Sequence, residues 1–96
     1  QADGIAMGAA KAVEGAGLAS QVVIGGYDGD MSALEYLSKC SGPFTVTATQ
    51  STRRMGTLAV DSALAVVGGQ KVEEKQVSEA VLTPCDKAGE YLANHP

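Results

Sequence analysis

The sequence predicts an α/β fold in three layers, a parallel β-sheet with helices on both faces, and an incomplete one. Three observations carry this reading. Helical and strand-like segments alternate along the whole chain in the order α-β-α-β-α-β-α, and such alternation builds parallel strands joined by helical crossovers. The strand-like segments are short and β-branched or glycine-flanked, as in a sheet covered on both sides. The chain opens on a helix with no strand before it and offers three strands, few for a doubly wound sheet, which points to part of a larger unit.

Taken in order, Asp3 to Ala16 reads as a helix with Asp3 as N-cap and Gly17 as its stop. Ile5, Ala6, Ala9, Ala12, Val13 and Ala16 recur at helical spacing, and a face of such small residues sits close on a sheet. Gly4, Gly8 and Gly15 weaken this helix in isolation, so it depends on packing. Gln21 to Gly26 reads as a buried strand that runs into the loop Tyr27-Asp28-Gly29-Asp30. A helix from Ser32 to Lys39 follows, with Ser32 and Glu35 in capping-box spacing and Leu34 and Leu37 on its buried side. After the Gly42-Pro43 break, Phe44 to Gln50 alternates as a strand with one better-buried face. Thr52 to Val67 is a third helix, striped by Met55, Leu58, Ala59, Ala63, Val66 and Val67 and ended by Gly68-Gly69. Gln70 to Gln76 is charged and solvated, and Val77 to Leu82 is the third strand. Thr83-Pro84 reads as the cap and first position of a last helix carrying Ala88, Tyr91 and Leu92.

Composition narrows the functions. With 96 residues, 45% of them hydrophobic, the chain suits one small globular domain, which buries roughly two-thirds of its surface on folding. A net charge of -4 gives no basic field for a phosphate backbone, so nucleic acid is not an expected partner. No apolar stretch approaches the roughly 20 residues that span a bilayer. Cys40 and Cys85 lack the neighbouring Cys or His of a zinc site, which leaves two buried thiols or one disulfide, the latter suited to an oxidising compartment.

The polar candidates lie at strand ends. Asp28 follows a strand, where ligands bind open α/β sheets, and a carboxylate there can accept from two vicinal hydroxyls. Taken alone, an aspartate here serves equally as an N-cap or Asx-turn residue. Gln50 ends an apolar strand face, and its amide both donates and accepts, which matches a hydroxyl or a backbone group at a bend. Tyr27 fits a pocket wall or the core, and Asp30 fits helix-start charge. An EF-hand loop counted from Asp28 would put Ala33 at the required glycine and Lys39 at the required acid, so the motif fails. The glycines around Asp28 match neither a dinucleotide fingerprint nor a P-loop. Arg53-Arg54 reads as a solvated pair, Gly4 and Gly8 as a close-packing pair, and the sole histidine, His95, is too near the end for a catalytic triad.

Asp3-Gly4-Ile5-Ala6-Met7-Gly8-Ala9-Ala10, Gly17, Val22 to Gly29, Ala48-Thr49-Gln50, Met55-Gly56 and Gly68-Gly69-Gln70-Lys71-Val72 together resemble the type I periplasmic binding proteins, with ribose- and galactose-type sugar receptors nearest. The likeness runs over nearly the whole chain. It implies two α/β lobes that close over a ligand, no catalysed reaction and no cofactor or metal. It implies that residues 1–50 belong to the C-terminal lobe, 51–82 to the N-terminal lobe and 83–96 to a segment returning to the C-terminal lobe. Asp28 matches the ligand aspartate of the family's Gly-Phe-Asp-Gly motif, here Gly-Tyr-Asp-Gly, and Gln50 matches the hinge glutamine that meets sugar hydroxyls. Ala2 stands where ribose-type receptors carry a ligand asparagine, which puts pentose specificity in doubt. The implied partners are a carbohydrate or polyol, an ABC transporter permease and the remainder of the same protein, in a periplasmic or other extracytoplasmic setting. By itself the chain has unpaired sheet edges that favour a homodimer. The rival reading is the effector domain of a lac-repressor-type regulator, which shares the fold but usually carries Gly-Phe-Asp-Asp. An unrelated small α/β enzyme would need a clustered acid, base or nucleophile, and the sequence offers none.

Overall fold

The structure is a computed structural model that describes residues 2–94. It runs α1 (Asp3–Gly15), β1 (Ile24–Asp28), α2 (Met31–Ser38), β2 (Phe44–Thr49), α3 (Thr52–Val67), β3 (Val81–Pro84) and α4 (Cys85–Asn94). The element order is the expected one, and His95 lies outside the described residues.

The sheet has the order β1-β2-β3 and is mixed. β1 lies parallel to β2, with Gly26 opposite Thr47 and Asp28 opposite Thr49. β3 corrects the expectation of an all-parallel sheet, because it pairs antiparallel to β2, with Val81 opposite Thr49. The connections explain the difference. β1 reaches β2 through a helical crossover, α2, which returns the chain to the same end of the sheet. The chain leaves β2 into the 16 residues of α3, a rise of about 24 Å. Residues 68–80 then bring it back to the end of the sheet that it left. This excursion draws the molecule out to 59 × 23 × 16 Å.

Boundaries move for physical reasons. The first strand was expected to end at Gly26. It begins at Ile24 and continues through Asp28, because pairing with β2 outweighs the poor strand propensity of Gly25 and Gly26. The third strand starts four residues later than expected and takes in Thr83 and Pro84, which were read as a helix start. Pro84 has no N–H to donate, and it ends an edge strand, where that is tolerated. α2 begins at Met31 with Asp30 as N-cap, not at Ser32, and α1 is capped by Ala2, with Asp3 already inside the helix. α3 has its expected span, and Ser51 caps it by accepting from the Arg54 N–H at 3.1 Å.

The core lies on one face of the sheet. Ala6 and Ala10 of α1, Ala33, Leu34 and Leu37 of α2, Ala88 of α4 and Phe44 of β2 form a single buried cluster. The alanines let three helices approach closely around one large ring, which stacks on Tyr36 with centroids 5.9 Å apart. On β2 the buried side chains are Phe44, Thr47 and Thr49, so it is the threonine face that turns inward. A register shift opposite Thr45 lets both Phe44 and Thr47 point that way. Helices on both faces were expected, but among the described residues they cover one face only. On the other, Tyr27 is 43% exposed and Leu82 73% exposed. The apolar stripe of α3 is likewise uncovered: Met55, Leu58, Val66 and Val67 are exposed, and no α3 residue is buried.

Cys40 and Cys85 are joined in a disulfide that ties the end of α2 to the start of α4. Cys40 takes the left-handed conformation, φ 50°, just past the helix. The bridge spans 45 residues, and closing a loop of that size stabilises the fold by about 4 kcal/mol on the chain-entropy model. Reduction is therefore expected to lower the free energy of unfolding by an amount approaching that value, read as a lower midpoint of urea unfolding. An unchanged midpoint would show that the bridge adds nothing.

Tyr36 supplies a pH-dependent term. Its hydroxyl is pushed up to about 12 by burial, by a hydrogen bond to the Glu14 carboxylate and by that group's charge. Because the folded state holds this proton more tightly than the unfolded chain, the contribution is complete below about pH 10 and is lost as pH rises towards 12. Ultraviolet titration should show the Tyr36 tyrosinate forming late, and Glu14→Gln should bring it back towards the ordinary range.

Candidate ligand-binding site

β1 and β2 end side by side, and the next residues of each strand form a shallow cleft of about 250 Å³. Asp28, Gly29, Asp30, Met31, Gln50 and Thr52 line it. Parallel pairing sets Asp28 opposite Thr49 and thereby places Gln50 within reach. The Gln50 side-chain amide donates to Asp28 Oδ1 at 3.0 Å, and the Gln50 backbone N–H donates to the Asp28 carbonyl at 3.0 Å. Two of the sequence-predicted residues therefore meet. Gln50 keeps its carbonyl oxygen and a second N–H, and Asp28 keeps a second carboxylate oxygen. Adjacent acceptors and a donor of this kind match neighbouring hydroxyls of a polyol.

Asp28 has φ 122°, a region that residues with a side chain seldom occupy, and such strain persists where the surroundings over-determine it. Gly29 follows at φ 86°, and a Cβ there would fall 2.8 Å from Thr49 Cγ2, so this turn requires glycine. Tyr27, the third predicted residue, is not brought to the cleft. Strand alternation sends its side chain to the bare face of the sheet. Arg53 and Arg54 line a separate groove of about 350 Å³ on α3 with Thr57, Leu58 and Asp61.

Reading from sequence missed the residue on which the loop rests. Asp3 is fully buried. Its Oδ2 accepts from the backbone N–H groups of Gly29 and Asp30, each at 2.8 Å, and its Oδ1 accepts from the Thr47 hydroxyl at 2.6 Å. Read as a cap for its own helix, Asp3 instead holds another segment 26 residues away. The one available cue was Gly26. A Cβ at that position would come within 2.2 Å of Asp3 Oδ1, so the strand glycine makes room for the carboxylate.

Residues 1–71 match the model of the periplasmic binding protein domain. No curated protein matches the sequence. Among solved structures, the chain is similar to an ABC transporter periplasmic solute binding protein from Actinobacillus succinogenes 130z with bound D-allose. The two share 30% sequence identity with a TM-score of 0.84 over 94% of this chain. The chain spans 31% of the length of that protein. A match over 71 of 96 residues, together with the shared fold, establishes that the chain belongs to the periplasmic binding protein domain family.

Proposed function

We propose that the chain is part of a solute-binding receptor that takes a sugar or polyol into a cleft between two lobes and presents it to an ABC importer. The observation that carries this is the Asp28–Gln50 pair, hydrogen-bonded across the ends of two parallel strands and lining a cleft. The allose-bound neighbour supports a carbohydrate as the solute class. The role is binding, with no reaction catalysed. In this reading residues 1–50 and 83–96 belong to one lobe and 51–82 to the other. The outward course of α3, its unburied apolar side chains and the antiparallel return of β3 support that division. The bare face of the sheet would then be covered by the rest of the receptor, and the 96 residues alone would pair through their sheet edges as homodimers. The Cys40–Cys85 bridge supports an extracytoplasmic location, where disulfides persist, and weighs against a cytoplasmic regulator.

Gln50 is suited to couple the two events of binding and closure. It touches the ligand aspartate and lies two residues before α3, so a solute that engages both side chains draws the crossing segment towards β1.

The test is a thermal-shift screen of D-allose, D-ribose, D-galactose and polyols on the whole receptor containing these residues. One sugar should raise the melting temperature, because a ligand that binds only the folded state stabilises it. Asp28→Ala removes charge-assisted hydrogen bonds and is expected to weaken that sugar by about 100-fold. Gln50→Ala removes neutral ones and should cost about tenfold. A receptor that responds to no sugar, or an Asp28→Ala variant that binds as tightly as wild type, would sink the proposal.

A further inference from the structure

We propose that Asp3 is the positioning residue of the ligand site: its buried carboxylate fixes the Asp28–Asp30 loop and so aims Asp28 into the cleft, without itself touching solute. The inference rests on the reading of Asp28 as a ligand residue. Asp3 does not line the cleft, and its side chain has no solvent exposure. Two of its three hydrogen bonds go to the backbone immediately after Asp28, and the third, from Thr47, anchors the carboxylate to the central strand. The chain on either side of the strained Asp28 is therefore held. Gly29 and Asp30 are drawn to Asp3, while the Asp28 carbonyl accepts from the Gln50 N–H. Remove Asp3 and the hold on the C-terminal side of Asp28 is lost, leaving only the Gln50 bonds to oppose relaxation of φ at Asp28 from 122° towards the ordinary range.

The electrostatics suit a fixed clamp. Among the described residues Asp3 has no cationic partner. Its charge faces three donors and the N-terminal end of α1, where the helix dipole favours an anion. Such a site is preorganised by dipoles that do not rearrange when solute enters. Gly26 belongs to the device, because any larger residue would displace Oδ1. A residue that only glued α1 to the sheet would need the Thr47 bond and apolar contacts. The bonds to Gly29 and Asp30 serve the loop.

The test compares Asp3→Ala, Asp3→Asn, Thr47→Val and Asp28→Ala in the whole receptor. Calorimetric Kd values for D-allose, D-ribose and D-galactose are taken well below each variant's melting temperature, with amide hydrogen exchange followed at Gly29 and Asp30. Asp3→Ala is expected to raise Kd about tenfold or more and to speed exchange at those two amides. Asp3→Asn keeps an oxygen for the two N–H groups and an amide for the Thr47 hydroxyl, so it should bind within about threefold of wild type. Should Asp3→Ala not fold, Thr47→Val decides, with an expected loss of about threefold to tenfold. Wild-type Kd and exchange in a folded Asp3→Ala protein, or in Thr47→Val where it decides, would overturn the inference while leaving the site reading intact. A wild-type receptor that binds none of the sugars, or one whose Kd is unchanged by Asp28→Ala, would overturn the site reading and this inference together.

Discussion

A single carboxylate, that of Asp3, sits where the first helix, the loop after β1 and the middle strand meet, and that end of the sheet is organised around it. Burying such a group without partners would cost several kcal/mol, so its three donors are a condition of the fold. Each requirement propagates outward. Gly26 must lack a side chain, β2 must present a hydroxyl at Thr47, and the chain after Asp28 must turn its N–H groups inward. The inward threonine face of β2 follows from the same need. Thr49 continues it by bonding to the Thr83 hydroxyl at 2.9 Å and to the Val81 carbonyl at 3.0 Å, which ties the returning strand to the centre of the sheet.

The rest of the molecule divides into a packed half and an extended half. The packed half has one core, built from alanines around Phe44 and closed by the disulfide between α2 and α4. The bridge sits directly after β3, so it fixes the point at which the chain re-enters the packed half. The extended half has the composition of a core helix with none of the burial. Leu64 is 65% exposed and Val67 86% exposed, although α3 is regular from end to end. Exposed apolar area on this scale marks a surface built to be covered. A bare sheet face and a bare helix in one 96-residue chain are what a division between two lobes would leave.

The order of elements and the span of α3 were legible in the residues, since they depend on local periodicity and on punctuation by glycine and proline, and the polar side chains Asp28 and Gln50, which the structure brings together, were marked by their place at strand ends and by the family resemblance. Asp3 was legible only as a helix-start acid. Its partners lie 26, 27 and 44 residues away, and no local pattern distinguishes a cap from a clamp of that range. Tyr27 was undecided between pocket and core, and the pleat sent it to neither.

By itself, then, the sequence determined what short-range physics determines: the order of helices and strands, which residues carry hydrogen-bonding chemistry at strand ends, and that two cysteines stood within one small chain. The tertiary structure alone decided the direction of β3, the covered face of the sheet, the pairing of Asp28 with Gln50 and the placement of Asp3 beneath the loop. The reason is common to all four. Strand direction follows from where a long excursion returns, and buried polar partners follow from which distant donors the fold brings within about 3 Å; neither is encoded within the span of a single element.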